Sequence, residues 1–218
     1  MISVDAVYQL SYAIAAKQSQ AFPSPADFNR YANLANTDLF NFYNDEREKL
    51  LLKVNSGEQI VMPTTLNDFI TTGTLSSSTG VFNMPGDYQY YLSLTSPSAQ
   101  ADCLKVDQSK LTNYLNSTVD NPTIDYPIFT ENSDTFNIYP DSINSVIITY
   151  LKIPPAVLWA YTLNSSNRPV YDPNNSINFI WTDTEIYRIT ARILYYMGVS
   201  IRDTELEQMA SQMTNTAS

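Results

Sequence analysis

Hydrophobic positions recur at helical spacing near both ends of the chain. The pattern predicts a first helix that follows Ser3 and runs to about Gln18. A second helix begins at Ser24-Pro25-Ala26-Asp27, where a serine cap precedes proline at the first helical position and an acid in the first turn. This helix is expected to reach Leu52 or Lys53. A helix that long needs an extended packing partner, which the first and the C-terminal helices are expected to supply.

The middle of the chain follows a different pattern. From Gly57 to Phe179, prolines separate short segments rich in β-branched and aromatic residues, which is typical of strands. Two short helices are also expected there, at Thr65–Thr72 and Gln108–Asn116. The predicted strands are Gly80–Asn83, Asp87–Thr95, Ala101–Lys105, Pro127–Thr130, Thr135–Tyr139, Ser145–Lys152 and Ala156–Tyr161.

Helical spacing returns near the C-terminus. Thr182 and Glu185 match a capping box, in which each side chain bonds a backbone N–H of the other residue. Gly198 is positioned to end this helix in the left-handed conformation. A last helix is expected from Ser200, and it carries Leu206, Met209 and Met213.

The order of these elements predicts an α+β protein. The terminal helices, residues 1–56 and 180–218, are expected to form an antiparallel helical bundle domain. Residues 57–179 are expected to form an inserted β-rich module, an antiparallel sheet or sandwich. The first and last elements must then pair across the inserted module.

The composition excludes many kinds of catalysis. Among 218 residues there is no histidine, which excludes Ser-His-Asp and Cys-His catalysis and His-bearing zinc sites. Cys103 is the single cysteine, and its apolar, strand-like setting predicts a buried, inert thiol. No secretory signal and no run of about 18 apolar residues is seen, so we expect a protein made without export and without a membrane span.

The charge and the aromatic content limit the classes of molecule that the chain is expected to bind. With 12 basic and 22 acidic residues the formal charge is −10, which argues against a surface that wraps nucleic acid. Only 16% of residues are charged, against roughly 25% in typical soluble domains. The chain also carries 16 tyrosines and 9 phenylalanines. Such a surface either binds glycans on aromatic platforms or is covered by other subunits.

The aromatic and methionine side chains supply candidate contact residues. Alternation along a strand would place Tyr88 and Tyr90 on one face and Gln89 and Tyr91 on the other. A packed core with an interface rim is favoured over an open glycan platform. For the methionines of the last helix, docking on a partner and packing within the chain both remain open. The candidate interface residues are Tyr88, Tyr90, Trp159, Tyr161, Met209 and Met213.

Paired carboxylates are the enzymatic chemistry that the missing histidine leaves open, because glycoside hydrolysis needs only two of them. No pair among the acids of the β-rich region has a diagnostic spacing, and acids beside turns are usually solvated. The oxygen-rich run from Asp172 to Ser176 lacks the pattern of an EF-hand and is expected to be a turn. No catalytic residue, metal site or cofactor is therefore predicted. The acids considered are Asp87, Asp102, Asp107, Asp125, Glu131, Asp134 and Asp141.

Several apolar and proline patterns together resemble a known family. They are Met84-Pro85-Gly86-Asp87-Tyr88, Asn121-Pro122, Tyr126-Pro127-Ile128-Phe129, Phe136-Asn137-Ile138-Tyr139-Pro140, Val146 to Pro154, and Ile193 to Asp203. The chain resembles the head-to-tail adaptor (ring or connector) proteins of short-tailed phages, in particular the ring proteins of crAss-like phages. The likeness extends from Ser3 to Met213.

The resemblance implies a structural virion protein without enzymatic activity. Its expected partners are copies of itself in a ring of usually twelve, the portal protein, and neighbouring tail or ring proteins. DNA would pass through the ring without specific binding, and no membrane is involved. The expected location is the head–tail junction of the virion, after synthesis in the host cytoplasm. The alternative is a carbohydrate- or receptor-binding module of a phage tail or bacterial surface.

Overall fold

A computed structural model of the chain describes residues 1–17, 22–55, 64–98 and 101–198. Within them lie the helices α1 (Val4–Lys17), α2 (Pro25–Asn55), α3 (Leu111–Leu115) and α4 (Ile186–Tyr196). The strands are β1 (Ile70–Ser76), β2 (Val81–Asn83), β3 (Tyr88–Thr95), β4 (Leu104–Lys105), β5 (Ile128–Glu131), β6 (Thr135–Tyr139), β7 (Ser145–Lys152), β8 (Tyr161–Leu163) and β9 (Pro169–Tyr171). The expected mixture of helices with antiparallel sheets is confirmed.

The strands form three sheets. One has the order β1-β7-β3 with antiparallel neighbours. A second has the order β2-β6-β5-β4, in which only the short pair of β4 with β5 is parallel. The third is the β8–β9 hairpin.

The chain divides into two compact units. One comprises Met1–Asp68 with Pro154–Ser218, and the other comprises Phe69–Ile153. These boundaries differ from the predicted division into residues 1–56 with 180–218 and residues 57–179. Residues 154–179 lie with the helices because α2 binds their backbone, as described below.

Two sheets contribute to the main buried cluster of the unit Phe69–Ile153, and Val106, Leu111 and Ile128 form a smaller one. The three-stranded sheet supplies Leu94 and alternate residues of β7, and the four-stranded sheet supplies residues of β2, β5 and β6. Side chains that alternate along facing strands therefore meet in a shared core. The buried residues of the cluster are Phe82, Leu94, Cys103, Phe129, Phe136, Ile138, Ile143, Val146, Ile148 and Tyr150.

Two irregularities in β3 overturn the expected faces of its tyrosines. The register against β7 shifts between Tyr88 and Tyr90 and again between Tyr91 and Ser93. Each shift gives β3 one extra residue, as in a β-bulge, and interrupts the two-residue alternation. Tyr88 and Tyr91 consequently pack on the same buried cluster, together with Leu94, instead of on opposite faces.

The expected helix at Thr65–Thr72 is wrong. A 3₁₀ turn occupies Asn67–Phe69, and the β-branched residues that follow form β1, which pairs with β7 over its whole length. The neighbouring strand β7 determines that this segment is a strand rather than a helix, because β-branched residues fit well in a strand that has a pairing partner.

The expected strand at Ala156–Tyr161 is extended. Leu158 forms an antiparallel bridge with Ile177 along one edge, and a helix binds the backbone along the other edge. On α2, the Asn33 amide accepts from the Val157 N–H at 2.9 Å and donates to the Val157 carbonyl at 2.9 Å. Asn29 makes the same pair of bonds with Trp159, at 2.8 and 3.2 Å. Asn36 donates to the Pro155 carbonyl at 3.1 Å. We call Asn29, Asn33 and Asn36 the asparagine face of α2. Their amides replace the peptide groups of a neighbouring strand.

Further hydrogen bonds hold the start of the chain in the same unit. Ile2 and Phe179 exchange two backbone hydrogen bonds of 3.1 Å, and the Val4 N–H donates to the Asn178 side chain. The indole N–H of buried Trp181 donates to the Asn36 carbonyl oxygen at 2.7 Å. Asn36 thus binds the Pro155 carbonyl and a buried indole with one side chain.

The predicted capping box before α4 is not formed. Thr182 makes no side-chain cap bond, and the carboxylate of buried Glu185 accepts from the Tyr43 hydroxyl of α2 at 2.6 Å. Arg188 donates to the same hydroxyl at 2.6 Å, and Arg192 pairs with Asp38 at 2.7 Å. Glu185 therefore joins α4 to α2. The local sequence pattern could not predict this interaction, because Tyr43 is distant along the chain.

The end of the described chain agrees with the predicted stop after α4. Gly198 has φ of +72°, the left-handed conformation expected of it. The expected last helix, with Met209 and Met213, lies outside the described residues. No helix of the described ranges is both long and apolar enough to cross a membrane.

Replacing Asn33 by alanine tests the asparagine face. The change leaves both peptide groups of buried Val157 without their partner, and we expect the free energy of unfolding to fall by about 2–3 kcal/mol. Urea unfolding followed by circular dichroism measures the change. Asn41→Ala is the control, because Asn41 is exposed on the same helix and its replacement should alter stability by less than about 0.5 kcal/mol. Equal losses in the two variants would contradict the assigned role.

Candidate interaction surfaces

Trp159, a predicted interface residue, is a core residue. Its side chain is only 2% exposed, and its indole N–H donates to Asp5 at 2.8 Å. Tyr8 stacks on the indole with ring centroids 4.1 Å apart and an angle of 10° between the rings. Tyr161 and Tyr171 stack against it at 5.9 and 5.7 Å. The prediction for Trp159 is therefore wrong, because other aromatic rings of the chain already cover it.

Tyr161 begins a projecting hairpin. It is 41% exposed, and every residue from 161 to 170 is exposed. The apolar side chains of Leu163 and Val170 are 57% and 47% exposed. At the tip, the Asn164 side chain accepts hydrogen bonds from the N–H groups of Ser166 and Arg168 at 2.9 and 3.0 Å. The β8–β9 hairpin thus presents apolar residues on a backbone that hydrogen bonds brace at its tip.

Two tyrosines, half-buried Tyr88 and buried Tyr150, hydrogen-bond to carboxylates. The Tyr88 hydroxyl donates to Glu131 at 2.6 Å, and the Tyr150 hydroxyl donates to Asp87 at 2.7 Å. Burial is the larger cause and these bonds the smaller one of a raised pKa in both tyrosines. The pKa of Tyr150 rises to about 12, and the pKa of Tyr88 rises further above its ordinary value. Lys105 pairs with the other oxygen of Glu131. Tyr88 is therefore held within its own unit by these bonds and by ring contacts with Phe136 and Tyr150.

Four of the acids considered for catalysis have ordinary structural partners. Besides Asp87 and Glu131, Asp102 accepts from the Thr95 hydroxyl at 2.6 Å. Asp107 accepts from the backbone and hydroxyl of Ser109, which lower its pKa. The described residues contain no group of three metal-ligating side chains.

The run from Asp172 to Ser176 is a turn, as expected. Asp172 accepts from the Asn174 N–H at 3.0 Å and the Asn175 amide at 2.6 Å, and these bonds lower its pKa. Ser176 donates to the Asp172 carbonyl at 2.7 Å. The Asp172 oxygen atoms thus stabilise the turn through hydrogen bonds.

A second exposed apolar region surrounds the edge strand β4. Leu104, Val119 and Tyr126 line a cleft of about 400 Å³ together with Asp102 and Asp120. Val119 is 88% and Tyr126 is 60% exposed. A cleft with this lining can hold an apolar side chain of a partner beside a cation.

The remaining predicted interface residues are less informative. Tyr90 is half-buried on β3, and Met209 and Met213 lie outside the described residues. Sequence reasoning missed the apolar exposure of Leu163, Val170 and Val119. The available signal was the position of these apolar residues beside turn-forming residues, such as Asn164 to Asn167.

Cys103 is buried, as its sequence setting predicts. It is 2% exposed and belongs to the core of its unit. Desolvation raises the pKa of its thiol from 9.0 to about 11. At neutral pH the reactive thiolate is therefore nearly absent, and the sulfur is inaccessible.

No protein-family model matches the chain, and no curated protein sequence matches it significantly.

Thiol labelling tests the placement of Cys103. At pH 7.5 we expect the folded chain to take up almost no maleimide, and the urea-unfolded chain to take up one equivalent, measured by mass spectrometry. Because the thiol pKa is higher in the folded state, its contribution to stability is constant below about pH 9 and is lost as the pH rises from about 9 to 11. Rapid labelling of the folded chain would contradict the assigned burial.

Proposed function

We propose that the chain is a structural protein of a phage neck. In this proposal, copies form a ring that joins the portal to the tail and lines the conduit for DNA ejection. The proposal follows the family resemblance described above and assigns the chain no catalytic activity. The mature location is the head–tail junction of the virion.

The observation that carries the proposal is the exposure of large apolar side chains on both units of a chain with few charges. Apolar residues cluster on the β8–β9 hairpin and around the cleft at β4, and only 16% of all residues are charged. Clustered apolar exposure is typical of surfaces that a partner covers. A subunit with neighbours on both sides needs two such surfaces, because the contact in a ring is heterologous.

The helices supply the proposed wall of the ring. We interpret α1, α2 and α4 as the antiparallel helical bundle expected from the chain ends, with the unit Phe69–Ile153 as the inserted β-rich module. Both α1 and α2 contact α4, and the 31 residues of α2 span roughly 46 Å. A long, rigid helix of this kind suits an element that lines a channel.

The charge of the chain suits passage of DNA without binding. Twelve chains at −10 each would carry a formal charge of about −120. Acidic groups facing a channel repel the phosphate backbone, so that DNA slides without being held. The ring is then a passive seal rather than a motor.

Electron microscopy of the purified chain with the portal protein of the same virus tests the proposed function. We expect a closed ring, with the twelve-fold symmetry that the resemblance implies, on one end of the portal. The portal of an unrelated phage is the control and should remain undecorated. The same chain should not retard duplex DNA in a gel at about 0.15 M salt, since its net charge is −10.

A portal that stays undecorated while the chain remains monomeric would contradict the proposed function. Specific binding of a glycan by the same monomer would instead favour the alternative, a carbohydrate- or receptor-binding module.

A further inference from the structure

Strand β1 is a long sheet edge without the usual protection. It lies at one side of the sheet β1-β7-β3, and no described strand pairs with its other side. Its seven residues, Ile-Thr-Thr-Gly-Thr-Leu-Ser, include no charge and no proline. Natural edge strands usually carry a charge, a proline or a bulge, because an unprotected edge recruits another strand.

The backbone of β1 offers hydrogen-bonding groups at this edge. The bond from the Ser77 N–H to the Asn144 carbonyl shows which residue pairs between β1 and β7 are hydrogen-bonded and which are not. Because bonded and non-bonded pairs alternate in an antiparallel ladder, the peptide groups of Thr72, Thr74 and Ser76 point away from β7. The side chains of these three residues are exposed.

The other sheet edges of the unit Phe69–Ile153 are protected. Strand β3 contains the two register shifts described above. Strand β2 has three residues, and β4 has two, one of which is Lys105. Short length, bulges and lysine are common means of blocking edge-to-edge pairing. Among the described strands of this unit, β1 is therefore the edge best suited to receive another strand.

The β8–β9 hairpin is suited to supply that strand. Its residues are exposed from 161 to 170, and no other described strand pairs with either of its outer edges. Two bonds, from the Asn164 N–H to the Arg168 carbonyl and from the Asp172 N–H to the Ala160 carbonyl, show which residue pairs of the hairpin are hydrogen-bonded. Tyr161 and Leu163 consequently direct their peptide groups to the free edge of β8.

The two edges of the hairpin are not equivalent. On β9, the same alternation directs the backbone nitrogen of Pro169 to the free edge, where it has no hydrogen to donate. The edge of β8 keeps all its donors and acceptors. Strand β8 is therefore the edge that can add to a sheet.

Charge complementarity identifies the occupant of β1. The hairpin carries one charged residue, Arg168, and Asp68 lies two residues before β1. Both are exposed, and neither has an ion-pair partner within the described ranges. A chain of net charge −10 associates with its own copies most easily through segments that lack negative charge, as β1 and the hairpin do.

We propose that β8 of one copy pairs antiparallel with the free edge of β1 in a second copy, with Arg168 placed beside Asp68. The antiparallel direction follows from this ion pair, because Arg168 stands at the hairpin tip and Asp68 at the start of β1. The contact joins different surfaces of the two copies and therefore leads to a ring or a filament rather than a symmetric dimer. It rests on the proposed function, for which it names the subunit contact.

Cysteine cross-linking of mixed single variants tests the contact. The native Cys103 is buried and unreactive, so introduced thiols provide the signal. A mixture of Thr72→Cys and Leu163→Cys with a short bis-maleimide should give covalent dimers, whereas either variant alone should give few. Ser76→Cys with Leu163→Cys is the matched control. Ser76 lies on the same exposed face of β1, roughly 13 Å further from Asp68, and should cross-link several-fold less.

A charge exchange provides a second measurement at exposed residues where misfolding is not expected. Arg168→Glu should weaken self-association roughly tenfold, measured by sedimentation, and Asp68→Arg in the same chain should restore it. Absence of the Thr72–Leu163 cross-link, or equal cross-linking by Ser76, would overturn the proposed contact.

The two proposals fail in different ways. Rings on the portal without the cross-link would leave the neck function standing and overturn the contact. The cross-link together with an undecorated portal would support the contact and contradict the neck function.

Discussion

The fold depends on a helix that satisfies the backbone of an extended segment. The asparagine face of α2 binds the peptide groups of Pro155, Val157 and Trp159, which no strand pairs with. Without these amides, the peptide groups of buried Val157 and Trp159 would lose their hydrogen bonds, at a cost of about 1–3 kcal/mol each. The same segment carries Trp159 onto Tyr8 and leads directly into the β8–β9 hairpin. A polar stripe on one helix therefore fixes both the core of this unit and the origin of its most exposed element.

The sequence predicted elements whose determinants are local. Ser24 caps α2 by accepting from the Asp27 N–H, Gly198 adopts the left-handed conformation, and β6 and β7 have their predicted limits. Predictions failed where a distant partner decides. Glu185 bonds Tyr43 instead of its own helix, and the residues after Phe69 pair with β7. For the candidate interface, Tyr161 is exposed as expected, but Trp159 is enclosed by rings contributed from distant parts of the chain. Helical spacing and strand alternation contain no information about such contacts.

Only some surface segments of this acidic chain suit contacts with other copies of it, because most acidic groups would repel one another. Its uncharged or apolar segments, β1 and the β8–β9 hairpin, carry backbone groups or side chains that a single copy leaves open. The proposed pairing brings one carboxylate, that of Asp68, into the contact and places it beside Arg168, so that no carboxylate there lacks a cationic partner. The acidic groups then remain available to face solvent or a channel. The proposed coverage by copies of the same chain would account together for the low charge, the tyrosine content and the unprotected edge strand.

Hydrogen–deuterium exchange tests most directly whether copies of the chain cover these segments. The measurement compares the free chain with rings purified on the portal, and follows the peptides that contain β1 and β8. We expect the amides of Thr72, Thr74, Tyr161 and Leu163 to exchange much more slowly in the rings, because each would gain a hydrogen-bond partner or lose contact with water. Rings in which these amides exchange as fast as in the free chain would contradict the account.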